Sequence, residues 1–192
     1  MRTHIHESVG AMMIPRKVTS VESIENPYTK RILSNVIGKD PLLVLSQTPA
    51  RLKRLTRGLS RAQLRKPPAE GKWSIIQIVT HLADVELVLA FRLRMALAQS
   101  GSPLQAVDQD KWAGGLRYEQ ADLKNKIDLF TTVRKDHLAM YRTLTPEQWE
   151  RYGMHEERGK ESVEHMVQLY AGHDINHLQQ IEHIIQLLKK KK

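Results

Sequence analysis

The stretch GKWSIIQIVTHLADVELVL, at residues 71–89, contains the clearest helix start in the chain. Ser74 is a favourable N-cap residue, and Gln77 three positions later completes a capping box. Mostly apolar residues follow without a glycine or a proline, which predicts a long helix that ends near Gln99. His81 lies on the apolar face of this helix, where it is an isolated polar group. The stretch therefore predicts a buried helix with one imidazole in its interior face.

Three further long helices are predicted on either side of this one. The apolar periodicity indicates helices over about 41–57, over 119–144, and from Ser162 to the terminal lysines. Pro49 lies inside the first of these helices, so we expect a kink or a restart there, with Thr48 as the cap. The segment that joins the second and third long helices is too long for a tight hairpin, which predicts a crossover or a lid.

The first part of the chain differs from the rest. Residues 1–38 lack a sustained hydrophobic period and contain Pro15 and Pro27, which predicts an irregular arm with a short helix near 28–36. The predicted fold class is therefore all-α. A four-helix bundle domain occupies residues 39–192, and the irregular N-terminal arm precedes it.

Composition excludes several classes of protein. The chain has 192 residues, of which 41% are hydrophobic and 27% are charged, so it is neither a disordered tail nor a membrane protein. No apolar run approaches the ~18 residues that a membrane-spanning helix needs. The absence of cysteine excludes disulfides, thiolate metal sites and a cysteine nucleophile. We find no apolar segment typical of a signal peptide, so we expect a cytoplasmic protein.

The net charge of +9 is concentrated in a few segments. Between Asp40 and Glu70 the chain has no acidic residue, whereas residues 51–66 contain seven basic ones. This basic stretch is either a phosphate-binding footprint for nucleic acid or the solvated face of a helix. No aromatic residue interleaves with the basic residues, so we favour the solvated face and do not expect nucleic acid as a partner.

Three histidines have the spacing of metal ligands. His173 and His177 are four residues apart on the last helix and project from one face of it, among apolar neighbours. His81 is the candidate third ligand, because a buried imidazole needs partners for both of its nitrogens. The three residues either hold one divalent metal or form a hydrogen-bonded polar network in the core. The chain has no H-E-x-x-H sequence, which excludes the zincin mechanism.

Further residues are candidates for a pocket or a supporting shell around these histidines. His137 falls on the inner face of the third long helix, as a fourth ligand, a supporting donor, a pocket residue or a core polar residue. Asp84 follows His81 by one turn, so it either orients an imidazole, binds substrate or, like Glu86, is an ordinary surface charge. Trp112 lies between the second and third long helices, where it either covers the pocket or anchors that segment.

Two motifs resemble the DinB/YfiT-like superfamily. One is GKWS at residues 71–74 followed by HLADVE at 81–86, and the other is HDINHLQQI at 173–181. The resemblance covers roughly residues 40–186. In that superfamily such motifs supply three histidines that hold a divalent metal in a four-helix bundle, so the resemblance assigns a metal to the same three histidines. It also implies a homodimer, since many members form dimers.

The resemblance bears on activity as well. Members of the family include transferases that use bacillithiol or mycothiol and a mycothiol-dependent maleylpyruvate isomerase, which implies a low-molecular-weight thiol as cosubstrate. Three imidazoles leave open positions on zinc, nickel or iron, and such an ion lowers the pKa of a bound water or thiol. We therefore expect a metal-dependent thiol transferase or hydrolase that acts on a small molecule. The alternative is a non-catalytic helical bundle that binds a partner, possible partners including nucleic acid through residues 51–66.

Overall fold

The computed structural model describes residues 15–190, and this part of the chain is mainly helical. Its elements are, in chain order, α1 (Pro27–Ser34), α2 (Pro41–Thr56), α3 (Arg61–Arg65), α4 (Ile75–Ala98), β1 (Ser102–Leu104), α5 (Gln109–Gly115), a 3-10 turn (Tyr118–Gln120), α6 (Leu123–Tyr141), α7 (Pro146–Glu150), β2 (Tyr152–His155), β3 (Gly159–Ser162) and α8 (Val163–Lys190). The four long helices α2, α4, α6 and α8 pack against one another in a ring. The predicted four-helix bundle is therefore confirmed.

Side-chain caps start the bundle helices where the sequence predicts. Asp40 accepts hydrogen bonds from the backbone N–H groups of Leu42 and Leu43, which have no partner inside α2. At the start of α4, the backbone N–H of Ser74 donates to Oε1 of Gln77 at 2.9 Å, as the predicted capping box requires. These local contacts set the points at which α2 and α4 begin.

Of the kink or restart predicted at Pro49, the restart is wrong. Helix α2 runs without interruption from Pro41 to Thr56, with Pro49 inside it. Thr48 does not cap a new helix, because its hydroxyl donates to the carbonyl oxygen of Val44 at 3.0 Å, within the same helix. Proline has no N–H, so Pro49 leaves the carbonyl of Leu45 without its usual intrahelical donor. A side chain from another helix supplies that donor, as described below.

The interior of the bundle has two apolar clusters with buried polar side chains where they meet. The first cluster includes Leu45, Leu89, Trp149 and Met166, and the second includes Leu52, Ile75, Phe130, Leu178 and Ile181. Polar side chains from all four long helices lie buried at their junction. We call this set the polar layer: Thr48, His81, Asp84, Glu86, Arg134, His137, His173, Asp174 and His177.

A small sheet lies beside one end of the bundle and was not predicted. Strand β1 pairs in parallel with β2, and β2 pairs antiparallel with β3, so that the order is β1-β2-β3. Each strand has only three or four residues, and the β1–β2 pairing joins parts of the chain that are distant in sequence. Such short strands leave no periodic signal, which is why the sequence did not reveal them.

The described part of the predicted arm packs on the bundle. Residues 1–14 of that arm lie outside the described residues. Helix α1 has a proline at its N-terminal end and packs against α8, with Ile32 and Leu33 buried in the first apolar cluster. The approach is close, because a Cβ atom placed on Gly172 of α8 would fall 2.2 Å from the carbonyl oxygen of Ile32. Because Gly172 has no side chain, α1 can pack against α8 at the residue next to His173.

A last observation concerns membranes. Over residues 15–190, no helix has the combination of length and apolar character that crossing a bilayer requires.

Candidate metal centre

The imidazoles of His81, His173 and His177 converge in the polar layer. Nε2 of His81 lies 3.1 Å from Nε2 of His173, and Nε2 of His177 lies 3.1 Å from the same atom. The ligand atoms of all three residues lie within 4.8 Å of one another. His81 projects from α4, whereas His173 and His177 project from one face of α8, one turn apart. We call these three residues the histidine triad.

The protein environment keeps the histidine triad uncharged. Its side chains are buried, with exposed fractions of 3% for His81, 7% for His173 and 6% for His177. Burial, together with the nearby His177, lowers the pKa of His81 to about 3. Burial lowers the pKa of His177 to about 4 and that of His173 well below its usual range. All three imidazoles are therefore neutral near pH 7, which is the form that binds a metal.

Two of the three distances between ligand nitrogens in the histidine triad fit coordination of one divalent ion. With metal–nitrogen bonds of 2.0–2.1 Å and bond angles between a right angle and the tetrahedral value, two ligand nitrogens are about 2.8 to 3.4 Å apart. The two Nε2–Nε2 distances of 3.1 Å fall inside that range. Nδ1 of His177 lies 2.9 Å from Oε1 of Gln180, which can only accept, so Nδ1 carries the proton. The lone pair of His177 is therefore on Nε2, directed at the other two rings.

An aromatic side chain packs against the imidazole of His81, the triad member on α4. The indole of Trp73 packs against His81, with ring centroids 5.0 Å apart and planes inclined by 60°. Tyr118 packs in turn against the edge of Trp73, at 6.4 Å. Trp73 directly precedes the N-cap of α4, so the start of the helix and the support of His81 depend on adjacent residues.

Residues of the histidine triad line two cavities. The smaller has a volume of about 90 Å³, and its lining includes His81, His173, Arg92 and His155. The wider has a volume of about 620 Å³, and its lining includes Trp73, His177, Gln180 and Leu187. Gln109 of α5 lines both. The arrangement can thus expose one reactive centre to two separate binding spaces.

Comparison with known proteins places the chain in a family. The sequence profile of the DinB superfamily matches residues 45–181, which include the whole histidine triad. The chain belongs to the DinB superfamily.

Two proteins that are similar to this chain share the same descriptive name. The chain is 29% identical over 149 residues to the Bacillus subtilis protein named "Putative metal-dependent hydrolase YfiT", covering 77% of this chain and 82% of that protein. It is also 29% identical over 178 residues to an Oceanobacillus iheyensis protein named "Putative metal-dependent hydrolase", covering 91% of each.

A solved structure matches the fold as well. It is described as "YfiT from Bacillus subtilis is a probable metal-dependent hydrolase with an unusual four-helix bundle topology". The TM-score is 0.71 at 27% sequence identity, and the match covers 79% of this chain and 85% of that structure. The bundle described above is therefore the fold of this DinB superfamily relative.

The other residues considered from sequence lie elsewhere in this DinB superfamily bundle. Nδ1 of His137 is 2.7 Å from Oε1 of Glu86, and Asp84 pairs with Nζ of Lys126 at 2.8 Å. Among the described residues, the group with metal-ligand spacing contains the histidine triad and not His137. Glu86 and Asp84 are not surface charges, since their exposed fractions are 1% and 5%. Trp112 is half-buried on α5, and the tryptophan that packs against His81 is Trp73.

An arginine that sequence reasoning missed connects the polar layer. Arg134 of α6 donates to both carboxylate oxygens of Glu86 at 2.7 Å, and to Oδ2 of Asp174 at 2.6 Å. Burial alone raises the pKa of a carboxyl group, but Arg134 and His137 lower that of Glu86 to about 2. Asp174 directly follows His173, so this buried ion-pair network holds α8 at the histidine triad. In the sequence, the only sign of this network is that Arg134 falls on the inward face of its helix.

The basic stretch 51–66 contributes to packing within the chain. Arg51 pairs with Glu182 of α8 at 2.9 Å. Arg65 donates to the carbonyl oxygens of Glu119 and Ala121, in the segment before α6. At least these two basic residues therefore bind other parts of the same chain. The expectation that this stretch does not bind nucleic acid stays a prediction.

Proposed function

We propose that this protein is a metal-dependent enzyme in which the histidine triad holds one divalent ion. The observation that carries the proposal is the convergence of three neutral Nε2 atoms in the floor of two cavities. When bound, such an ion lowers the pKa of a coordinated water or thiol and so supplies a nucleophile near pH 7. Three nitrogen ligands suit zinc, nickel or iron, and they leave at least one position for a reactant.

The residues around the triad orient it and shield it. Gln180 fixes the His177 tautomer with its lone pair toward the other two rings, and Trp73 holds the His81 ring from the side. Apolar side chains in the walls of the smaller cavity, among them Val85 and Leu169, limit access of bulk water. Arg134 keeps α4, α6 and α8 in register behind the site through its bonds to Glu86 and Asp174. These residues act on position and solvation, and the triad supplies the ligands.

Hydrolysis of a small molecule is the reaction we favour. The support is the name of the relatives, which describes them as metal-dependent hydrolases and which fits a triad that leaves room for water. Transfer of a low-molecular-weight thiol is the second candidate. Its support is the pair of cavities, because a transfer needs separate spaces for the thiol and for the electrophile that accepts it.

Metal content tests the first part of the proposal. We expect protein purified without a metal-affinity tag to contain about one equivalent of divalent metal by elemental analysis. His177→Ala removes one ligand and should lose most of that metal, while the bundle stays folded by circular dichroism. His183→Ala is the matched control, because His183 lies on the same helix but is exposed. Equal metal in both variants, or none in the parent protein, would contradict the proposal.

Turnover tests the second part. The metal-loaded protein and the chelator-treated protein are compared on a panel of esters and amides with water as nucleophile. The same pair is then compared on an electrophile such as chlorodinitrobenzene together with a small thiol. We expect metal-dependent turnover in the first assay, and turnover only in the second would favour the thiol transferase. Stoichiometric metal without turnover in either assay would point to a binding protein.

A further inference from the structure

The smaller cavity contains a buried arginine with no carboxylate partner. Arg92 of α4 has an exposed fraction of 6% and lines the cavity together with His81 and His173. Its Nη2 donates to the carbonyl oxygen of Gln105 at 2.5 Å and lies 3.2 Å from Nε2 of His155. Within residues 15–190, Arg92 forms no ion pair. Since a buried charge without a counter-charge is costly, this site is suited to an anion.

The imidazole of His155, next to Arg92, has hydrogen-bond donors facing both of its ring nitrogens. Nδ1 of His155 lies 3.2 Å from the backbone N–H of Glu157, and its Nε2 faces the guanidinium of Arg92. A neutral imidazole carries one N–H, on either Nδ1 or Nε2. Whichever nitrogen carries it, one N–H of His155 faces another donor. The backbone N–H of Glu157 donates to Nδ1, which leaves the proton on Nε2, beside Nη2 of Arg92. Two donors therefore lie next to each other, and an anionic oxygen that entered the cavity beside them would accept from both.

The other charges of this cavity do not neutralise Arg92. Arg158 also lines the cavity, but it donates to both carboxylate oxygens of Glu161, at 2.6 Å and 3.1 Å. Glu157 lines the cavity too, and its side chain is exposed to solvent. The positive charge of Arg92 is therefore the one directed into the cavity without a carboxylate beside it.

Position along α4 separates this anion site from the reactive centre. Arg92 follows His81 by eleven residues, a rise of about 16 Å along the helix, and both line one cavity. The cavity volume of about 90 Å³ equals that of roughly three water molecules, which is enough for a small anionic group. An anion held by Arg92 would thus lie toward the far end of the cavity from the histidine triad.

We infer that the smaller cavity binds the carboxylate or phosphate group of an anionic substrate through Arg92 and His155. This inference rests on the proposed function for the identity of the reacting centre and adds the class of substrate. The anionic group serves recognition, and the bond that reacts lies toward His81 and His173. Arg92 and His155 are positioning residues in this scheme, because they contact the substrate away from the reacting atoms.

Binding of simple anions tests the inference independently of metal and turnover. Inorganic phosphate and acetate are titrated separately by calorimetry into the chelator-treated protein and into His177→Ala. We expect at least one of the two anions to bind in both proteins. Binding of phosphate alone or of acetate alone supports the inference and identifies the substrate group. Absence of binding by either anion would overturn it, even if the metal proposal holds.

Two variants and a control locate the binding. We expect Arg92→Met to weaken anion binding about 10- to 100-fold, since a charge-assisted hydrogen bond is lost. His155→Leu should weaken it without removing the positive charge, which keeps the test valid if Arg92→Met folds poorly. Arg94→Met is the matched control, because Arg94 lies two residues further along α4 and pairs with Asp136 on the surface. Anion binding that survives in both Arg92→Met and His155→Leu would show that the anion binds elsewhere.

Discussion

Nη1 of Arg134 donates to the carbonyl oxygen of Leu45 at 3.0 Å. Pro49 has no N–H to donate to that carbonyl, so Arg134 on α6 supplies the hydrogen-bond donor that α2 itself lacks. The same guanidinium pairs with Glu86 on α4 and Asp174 on α8. One side chain therefore contacts the other three long helices, and α2 needs no restart at its internal proline.

Removal of this arginine should be strongly destabilising. We expect Arg134→Met to lower the free energy of unfolding by about 3 to 5 kcal/mol, because two buried carboxylates lose their charged partner and the carbonyl of Leu45 loses its donor. Urea unfolding followed by circular dichroism measures the change. Arg94→Met removes an exposed ion pair and should change stability by less than about 1 kcal/mol. Equal losses in the two variants would contradict the role given to Arg134.

The buried carboxylate of Glu86 should make stability depend on pH in the acid range. Its pKa is about 2 in the folded protein and ordinarily 4.5, so the unfolded chain binds the proton more tightly. The stabilisation is fully present above pH 4.5 and is lost as the pH falls toward 2. We expect this group to account for a loss of about 3 kcal/mol over that window.

A variant separates Glu86 from other groups that titrate in the same range. Glu86→Gln cannot titrate, so its free energy of unfolding should fall less steeply between pH 4.5 and pH 2.5 than that of the parent protein. Asp136→Asn, which alters an exposed pair, should follow the parent curve. If Glu86→Gln also follows the parent curve, the carboxylate is not stabilised by Arg134 as described.

Metal affinity should depend on Gln180. Replacement by Leu keeps the size of the side chain but removes the acceptor for Nδ1–H of His177, which then has no fixed tautomer. We expect Gln180→Leu to reduce metal affinity about 10- to 100-fold in a competition titration with a chromophoric chelator. The neighbouring residue gives the control: Gln179 is exposed like Gln180 but forms no hydrogen bond with the histidine triad, so Gln179→Leu should leave the affinity unchanged. The hydrogen bond has no role in metal binding if the two variants behave alike.

Trp73 should report metal binding directly. Its indole is 5.0 Å from the ring of His81, so a paramagnetic ion such as Ni²⁺ or Co²⁺ at the histidine triad should quench its fluorescence. We expect the quenching to disappear in Trp73→Phe and to persist in Trp112→Phe, which changes the tryptophan on α5. Quenching that is lost instead in Trp112→Phe would place the ion elsewhere.

The contact between α1 and α8 should tolerate no side chain at Gly172. Gly172→Ala would place a Cβ atom 2.2 Å from a backbone oxygen of Ile32, so α1 must move. We expect a loss of about 1 to 3 kcal/mol in the free energy of unfolding. Gly114→Ala, on α5 with no atom near the added methyl group, should be neutral or slightly stabilising. A thermal denaturation series compares the two, and equal melting temperatures would contradict the close packing.

The parts of the site that sequence predicted are those with a local or periodic signal. The capping box at Ser74 involves residues three positions apart, and the spacing of His173 and His177 follows from one turn of helix. His81 was found because an imidazole on an otherwise apolar helical face is conspicuous. Each of these signals lies within one helix, and the packing of α4 against α8 was enough to bring the three imidazoles together.

The parts that sequence did not reveal depend on contacts between helices. Nothing near Arg134 in the chain indicates that it pairs with Glu86, 48 residues away, or that it supplies a donor to α2. His137 was considered a candidate ligand because it points inward, but its partner is also Glu86. His155 lies on a four-residue strand whose pairing is not encoded locally, so nothing around it in the chain indicates that it faces Arg92.

His81 and His173 lie 92 residues apart in the chain, on α4 and α8. Helix α4 is therefore synthesised before α8, and at that stage the nascent chain carries His81 without its two partners. The cluster comes into existence only when α8 docks against α4. Binding of one ion by all three histidines therefore requires that α8 has already docked against α4.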